Sequence, residues 1–433
     1  MPKYALPGPR SAQLLEMSDQ YEAGATSRQQ PFVWDHAEGC IITDVDGNTY
    51  IDWTSGVLVT NVGHSHPKHV AAIQRQVGRL MCPYDFPTPE RVTLAKRMVE
   101  ITPENLDACF MLTTGSEATE AAMRIAKRFT GRHEIISFWG GFHGRTVGAM
   151  SAAGKLGTKK RYGPVLTGHV QAPYPYCYRC PFDLRCPDCR MKCLEFLDHV
   201  VETQTTGNLA AVITEPYQGG SGFIFPPEGW LRHLEAWCQD HDALFILDEV
   251  QSSFGRTGRM FMAEYEDLHP NFMPIGKGIG SGIPTACLMT EKRIMAIFDP
   301  GELSSTSGGN PVSCAAAHAV LDIFEEEKLV ENSERVGAYI KGRLTDLQNR
   351  SEYLGDVRGM GLVMGMEFVA DKETKQPSKE ITWRVVDACA EEGLCVGVVG
   401  FYGNVIRVAP PLVITENEAQ QSCDIMEKVV MGL

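Results

Sequence analysis

Asp248 and Lys277 are the residues whose types and positions best fit a chemical role. The apolar run Leu244 to Leu247 is typical of a buried parallel strand, and it ends in Asp248. A carboxylate there should face the crevice in which open α/β sheets bind ligands. Lys277 follows later between Gly276 and Gly278, which should let the backbone turn sharply and, having no side chains, let the amine project into a pocket.

An acid and an amine that converge on one crevice suit pyridoxal phosphate (PLP). The amine can form a Schiff base with this cofactor, and the acid can keep the pyridine nitrogen protonated so that the ring accepts electrons. The alternative interpretation is that Asp248 caps a helix and Lys277 is a solvated surface residue. Motifs elsewhere in the chain are needed to distinguish these two interpretations.

Length, composition and charge predict a globular protein with more than one domain. The chain has 433 residues, of which 43% are hydrophobic and 22% charged, and a net charge of −14 that disfavours nucleic acid as a partner. We find no apolar run of about 18 residues, as a membrane-spanning helix would need. The N-terminal segment MPKYALPGPRSAQ carries prolines where a signal peptide needs an apolar stretch, so we expect a cytoplasmic protein.

Three further apolar runs resemble the strand before Asp248, and each leads into polar or glycine-rich residues. These runs are Cys109–Leu112, Glu134–Phe138 and Ala210–Thr214. Helical segments separate them, among them one over Trp230 to about Asp240. Strands that alternate with helices in this way predict an α/β fold with a doubly wound, mainly parallel sheet.

The residues after these strands are candidates for binding. Gly115 and Ser116 open a helix and can present backbone N–H groups to a phosphate, although a plain N-cap with Glu117 is an alternative. Phe142 can lie flat on a cofactor ring or belong to the core, and Arg145 can bind a carboxylate through two hydrogen bonds.

The ends of the chain have a different character from its middle. We expect residues 1–66 to form an arm, with a short helix near Ala12–Met17, and a hairpin whose two strands are joined through Asp46-Gly47. Residues 67–325 should form a large cofactor-binding domain. Residues 326–433 should form a small α+β domain that the hairpin joins in space.

Five cysteines cluster in the segment YCYRCPFDLRCPDCRMKC, at Cys177, Cys180, Cys186, Cys189 and Cys193. Paired CxxC motifs fit tetrahedral zinc or an iron–sulfur cluster, and the first four cysteines are the candidate ligands. The alternative is a loop whose cysteines bind no metal or pair according to redox conditions. In either case we interpret the loop as a structural feature beside the site.

The motifs together resemble those of the class III PLP-dependent aminotransferases, in the order and spacing of that family. The resemblance covers about Phe32 to the end. It is carried by GSEA at Gly115, GFHGRT at Gly141, Glu215-Pro216, LDEVQ at Leu247, GKG around Lys277, TSGGNP at Thr306 and RVAPPL at Arg407. It implies a fold type I transferase with a mostly parallel central sheet and a smaller α+β domain.

The resemblance assigns cofactor contacts near the ring. Lys277 looks like the Schiff-base lysine, which also moves the proton between substrate and cofactor. Asp248 would pair with the pyridinium and Gln251 would form a hydrogen bond with the ring hydroxyl. His143 would be a further cofactor-binding residue.

It also assigns the remaining cofactor contacts. Gly115 and Ser116 would hold the phosphate, helped by Thr306 from a second subunit. Phe142 would stack on one face of the ring and Val250 on the other. These assignments imply a homodimer or tetramer with shared active sites.

For substrates, the resemblance is to enzymes acting on 4-aminobutyrate and related ω-amino acids, with 2-oxoglutarate or pyruvate as acceptor. Arg407 would bind the α-carboxylate, Arg145 the distal carboxylate, and Glu215 would neutralise Arg407 when the other substrate has no α-carboxylate. A dialkylglycine decarboxylase is the alternative within the family, but its glutamine and stacking tryptophan are replaced by Val57 and Phe142. An isomerase that shifts an amino group within one substrate is a further alternative.

Overall fold

The computed structural model describes residues 5–25 and 29–433, and these form two compact units. The small unit contains the described residues of Met1–Pro67 together with Gly255–Gly258 and Phe324–Leu433, and the large unit contains Lys68–Phe254 and Arg259–Ile323. Within the described ranges, no helix is long and apolar enough to cross a membrane.

The strands are numbered in chain order. They are β1 Trp34–Glu38, β2 Ile41–Asp44, β3 Thr49–Asp52, β4 Ala108–Leu112, β5 Glu134–Phe138, β6 His169–Ala172, β7 Leu209–Thr214, β8 Leu244–Leu247, β9 Phe272–Ile275, β10 Ala286–Thr290, β11 Leu354–Met360, β12 Val363–Asp371, β13 Gln376–Pro377, β14 Leu394–Cys395, β15 Gly397–Val399 and β16 Val405–Val408.

The α-helices are numbered in the same way. They are α1 Pro9–Tyr21, α2 Ser55–Leu58, α3 Pro67–Val77, α4 Pro89–Ile101, α5 Gly115–Thr130, α6 Val147–Ala152, α7 Leu156–Lys159, α8 Lys192–Gln204, α9 Trp230–Asp240, α10 Lys292–Met295, α11 Pro311–Glu327, α12 Leu329–Arg350, α13 Lys379–Glu391 and α14 Glu416–Met431. Short 3₁₀ turns occur at Cys177–Arg179, Met262–Tyr265 and Lys277–Ile279.

The large unit is built on a seven-stranded sheet with the order β4-β10-β9-β8-β7-β5-β6. The pairs from β9 to β6 are parallel, and β10 runs antiparallel to both of its neighbours. Every residue of β5 and β7 is buried, as expected for parallel strands covered on both faces. This sheet confirms the mainly parallel α/β fold.

Helix α5 covers this sheet with an apolar face. Ala122 and Ile125 of the helix belong to one buried cluster with Ile213, Ile246 and Leu288 of the strands. The helix begins with a capping box in which the Thr114 side chain accepts from the Glu117 N–H. The cap and the apolar face together fix where the helix begins, and therefore where its N-terminal N–H groups point.

The small unit contains two sheets. One has the order β1-β2-β3-β14, and the other has the order β11-β12-β16-β15 with β13 paired to β12. Arg256 belongs to this unit although it lies in the middle of the chain. Its fully buried guanidinium donates to Leu362 O (3.0 Å), Pro410 O (2.5 Å) and Asn61 Oδ1 (2.7 Å), which ties residues 255–258 to it.

The structure differs from the expectations in three local details. The N-terminal hairpin is a three-stranded meander in which the Asp46-Gly47 turn joins β2 to β3. The helix near Ala12–Met17 extends over the whole of α1. The sequence did not reveal β6 and β9, because β6 has no apolar run and β9 contains Pro274.

Candidate functional site

Three neighbouring parallel strands of the large unit end in the residues that the sequence singled out. Phe142 and His143 follow β5, Glu215 follows β7 and Asp248 follows β8. Since β5, β7 and β8 are adjacent and parallel, their carboxyl ends lie at one edge of the sheet. The fold therefore brings these side chains together.

Asp248 and His143 form a buried pair at this edge. His143 Nδ1 lies 2.7 Å from Asp248 Oδ2, and both side chains are shielded from solvent. Burial opposes the charge of His143, but the hydrogen bond to Asp248 and the charges of Asp248 and Glu215 outweigh it and raise the pKa of His143. The other carboxylate oxygen, Asp248 Oδ1, accepts the Val250 N–H at 3.1 Å. The aspartate is thus held in one orientation from both sides.

Glu215 is held rigidly beside this pair. Its Oε1 accepts the N–H of Phe142 at 2.9 Å, and its Oε2 accepts the N–H of Gly219 at 3.1 Å. Burial raises the pKa of Glu215 to about 7, with the His143 charge opposing and the Asp248 charge adding to the increase. A carboxyl group with such a pKa changes charge near neutral pH.

Lys277 follows β9, the strand next to β8, and its own backbone is strained. Lys277 has φ +47°, whereas Gly276 is extended with φ −161°. The sequence led us to expect that the glycines make the turn, but the lysine adopts the left-handed conformation itself. Non-glycine residues in this region cost on the order of 1–3 kcal/mol and cluster at functional sites.

The start of helix α5 packs closely against Val250. A Cβ on Gly115 would lie 2.7 Å from Val250 Cγ1, and a Cβ on Gly276 would lie 3.2 Å from the same atom. Both positions therefore need glycine, because a side chain at either one would prevent the backbone from approaching Val250 this closely. As a result the N-terminus of α5, Val250 and the residue before Lys277 meet at one place.

Gln251 carries an unused acceptor in the large unit. Its Oε1 is buried and has no hydrogen-bond partner among residues 5–25 and 29–433. A Cβ on Gly219 would lie 1.7 Å from this oxygen, so glycine alone leaves the amide in place. The arrangement fits a ligand that donates a hydrogen bond, as the PLP ring hydroxyl would.

Ser116 and Thr306 line one open cavity of about 500 Å³, together with residues of α5 and the segment 304–307. Ser116 Oγ accepts the N–H of Arg145 at 3.2 Å. The Arg145 side chain is exposed, and its guanidinium carbon lies 5.7 Å from the centre of the Phe142 ring. The helix N-terminus at this cavity suits a phosphate group.

Arg407 lies in the small unit, on strand β16. Its side chain is buried, with only 5% of the residue exposed, and its Nε has no hydrogen-bond partner in the described part of the chain. Burial lowers the pKa of Arg407, and nearby Cys395 and Asp52 oppose that effect. A buried guanidinium with an unused donor suits a carboxylate ligand.

The zinc or iron–sulfur site expected at Cys177, Cys180, Cys186 and Cys189 is not supported. These cysteines and Cys193 line one small cavity of about 20 Å³. Nevertheless, throughout residues 5–25 and 29–433, no three His, Cys, Asp or Glu side chains are grouped so that they could hold a metal ion. Burial and the neighbouring thiols raise the pKa of Cys177 to about 12, so this thiol is neutral near pH 7.

Sequence reasoning overlooked two residues of the large unit that matter for the site. Gly219 lies in the glycine-bearing segment after Glu215-Pro216 and belongs to none of the motifs, yet it packs on Gln251. Glu249, next to Asp248, is fully buried and accepts the Ala263 N–H at 2.8 Å. The only sequence signal was the double acid at the end of an apolar strand, which did not say which acid faces the crevice.

Known proteins resemble the chain over nearly its whole length. Residues 23–430 match the family described as aminotransferase class-III. The chain is 36% identical to an alanine/serine racemase of Pyrococcus horikoshii (98% of this chain, 91% of that protein) and 33% identical to a probable 4-aminobutyrate aminotransferase of Bacillus subtilis (96% and 97%). A crystal structure of a Bacillus anthracis aminotransferase matches with a TM-score of 0.91 and 31% identity, over 99% of this chain and 100% of that one.

Proposed function

Because the chain belongs to the class III aminotransferases, which are PLP-dependent transaminases, we propose that it moves an amino group from an ω-amino acid such as 4-aminobutyrate to 2-oxoglutarate or pyruvate. The relative named for 4-aminobutyrate supports the donor class. The buried guanidinium of Arg407 is the observation that carries the proposal. It supports an acceptor with a carboxylate next to its keto group.

The residues of the large unit fit PLP. Gln251 offers a buried acceptor for the ring hydroxyl, and the N-terminus of α5 at Gly115 and Ser116 offers N–H groups for the phosphate. We propose that Phe142 and Val250 contact the two faces of the ring. When bound, the cofactor supplies an electron sink for the carbon that gains or loses the amino group.

We propose that Asp248, Lys277 and Glu215 are the catalytic residues. Asp248 would hold a proton on the pyridine nitrogen of the bound cofactor, and the hydrogen bond from His143 keeps the Asp248 carboxylate oriented for that task. Lys277 receives and returns the proton of the substrate carbon. Glu215, with a pKa near 7, adjusts the local charge between the two half-reactions.

The two arginines are proposed as carboxylate binders. Arg145 is exposed beside Phe142 and would take the distal carboxylate of the donor. Arg407 would take the carboxylate of the 2-oxo acid. The neutralisation of Arg407 by Glu215 stays a prediction from the family resemblance.

We also propose a homodimer or tetramer in which Thr306 serves the cofactor phosphate of a second subunit. The supporting observation is an exposed apolar segment next to Thr306. Met81 is 59% exposed and Phe86 is 76% exposed, and Cys82 Sγ lies 3.4 Å from Thr306 O. Such segments commonly become buried when subunits associate.

A donor-by-acceptor screen of the PLP-loaded protein tests the function. We expect turnover of 4-aminobutyrate or another ω-amino acid with 2-oxoglutarate or pyruvate. Lys277→Ala should abolish it, whereas Lys292→Ala should not, because the Lys292 side chain is exposed and its ammonium lies 3.9 Å from Asp107. Absence of turnover with every ω-amino donor would refute the proposed donor class.

Racemisation of an α-amino acid is the second candidate, favoured by the Pyrococcus relative. It differs from amino transfer in needing no 2-oxo acid. Optical rotation of a single amino acid, followed without acceptor, separates the two. Rotation that decays at the same rate with and without 2-oxoglutarate would favour the racemase.

A further inference from the structure

Arg407 has a glycine opposite it on each of the two strands next to its own. Strand β16 lies between β12 and β15, and the residues paired with Arg407 are Gly365 on β12 and Gly397 on β15. Glycine is disfavoured within strands, and it often marks a place where another group approaches closely. Neither neighbouring strand therefore presents a side chain at this position.

The Arg407 side chain lies directly over Gly397. A Cβ on Gly397 would lie 2.2 Å from Arg407 Nη2 and 2.8 Å from both Cζ and Nε. Gly397 is part of a regular antiparallel pair, and its φ does not lie in the left-handed region. The space taken by the guanidinium explains the glycine, and backbone conformation does not require it.

The three atoms nearest to such a Cβ all belong to the end of the arginine side chain, and none of them is a backbone atom. A larger residue at 397 would therefore leave the sheet intact and push the guanidinium aside by roughly an ångström. Displacement on this scale is enough to lower the activity of a well-aligned site by about a hundredfold.

Asp52, whose charge acts on Arg407, is engaged in other hydrogen bonds. Asp52 is fully buried, and its Oδ2 lies 2.8 Å from His64 Nε2. Its Oδ1 accepts from the backbone N–H and the hydroxyl of Thr54, at 2.6 and 2.7 Å. Both carboxylate oxygens of Asp52 thus already have partners, whereas the Arg407 guanidinium lies in the space that a side chain at Gly397 would occupy.

We propose that Gly397 is a positioning residue that aims the Arg407 guanidinium and thereby sets the affinity for the carboxylate of the 2-oxo acid. The inference rests on the proposed role of Arg407. It adds that a residue with no side chain, on the neighbouring strand, determines how well this carboxylate binds.

The test is calorimetric titration of PLP-loaded enzyme with 2-oxoglutarate, which carries no amino group and is not turned over in this form. Gly397→Ala should raise the dissociation constant about ten- to hundredfold. The dissociation constant of PLP and the far-UV circular dichroism should not change. Gly342→Ala is the matched control, because the space around Gly342 on α12 is open, and it should bind 2-oxoglutarate as the wild type does.

A double-mutant cycle separates positioning from general disruption. Lysine lacks the guanidinium that the new Cβ would meet, so Gly397→Ala should weaken binding much less in an Arg407→Lys background. Equal weakening in both backgrounds would overturn the inference. So would wild-type affinity in Gly397→Ala while Arg407→Lys binds weakly. If wild-type affinity persists in Arg407→Lys itself, the proposed role of Arg407 fails first, and the inference fails with it.

Discussion

Replacement of Glu249 by glutamine should make the protein more stable, by a margin that is small in acid and reaches its full size at neutral and higher pH. Glu249 is fully buried, its carboxylate accepts hydrogen bonds from the Ser252 hydroxyl and the Ala263 N–H, and no positive group is among the causes of its pKa shift. Burial, with a contribution from the Glu264 charge, raises its pKa from 4.5 to about 7. A glutamine has the same shape as the protonated acid but never ionises.

The pKa shift of Glu249 fixes the sign and size of the effect. A raised pKa favours the folded state below pH 4.5, and this contribution disappears as the pH rises through 7. A shift of this size corresponds to about 3 kcal/mol. The free energy of unfolding of Glu249→Gln should therefore exceed that of the wild type by a margin that grows between pH 4.5 and 7 and is constant above.

Urea denaturation at unit pH intervals from 4 to 8 measures this margin. Glu331→Gln, an exposed carboxylate on α12, is the control and should differ from the wild type by the same amount at every pH. A difference for Glu249→Gln that is independent of pH would refute the reasoning. A difference that grows toward acid pH would refute it as well.

Three further predictions concern the site and the cysteine loop. Gly219→Ala should weaken PLP binding, because the added Cβ displaces the Gln251 amide. Gly157→Ala is the control and should not weaken it, because the added Cβ contacts no other atom there. Absorbance titration with PLP measures the binding of both variants. His143→Phe leaves a buried carboxylate oxygen without its donor, so the PLP dissociation constant should rise about tenfold or more, and an unchanged constant would contradict the proposed pairing. Dialysis against a chelator should leave activity and melting temperature unchanged, and stoichiometric zinc or iron in the pure protein would show that the loop Cys177–Cys193 rearranges to bind metal.

Most of the central sheet could be predicted from the sequence. A buried parallel strand is a short apolar run, and its end is marked where a polar residue interrupts the run, as at Asp248 and Glu215. Strands β6 and β9 escaped this reasoning, because β6 lacks a strong apolar pattern and Pro274 disrupts that of β9. The loop after β9 also differs from the expectation that its glycines make the turn, because Lys277 itself adopts the left-handed conformation.

Contacts within the site were less accessible to sequence reasoning. The sequence placed His143 with the cofactor-binding residues but could not show that it pairs with Asp248, which follows a different strand. It also could not distinguish a glycine needed for a turn from one needed for close approach. Gly115 and Gly219 belong to the second kind, as the short distances to Val250 and Gln251 show.

The sequence by itself determined the family, the cofactor and the order of strands and acids along the chain, because these depend on residue types at short, regular spacings. Only the tertiary structure decided that Arg407 lies between Gly365 and Gly397 and that the amide oxygen of Gln251 is buried without a hydrogen-bond partner among the residues described. The physical reason is strand register. Hydrogen bonds between segments far apart in the chain set which residues face one another, and no local pattern encodes that choice.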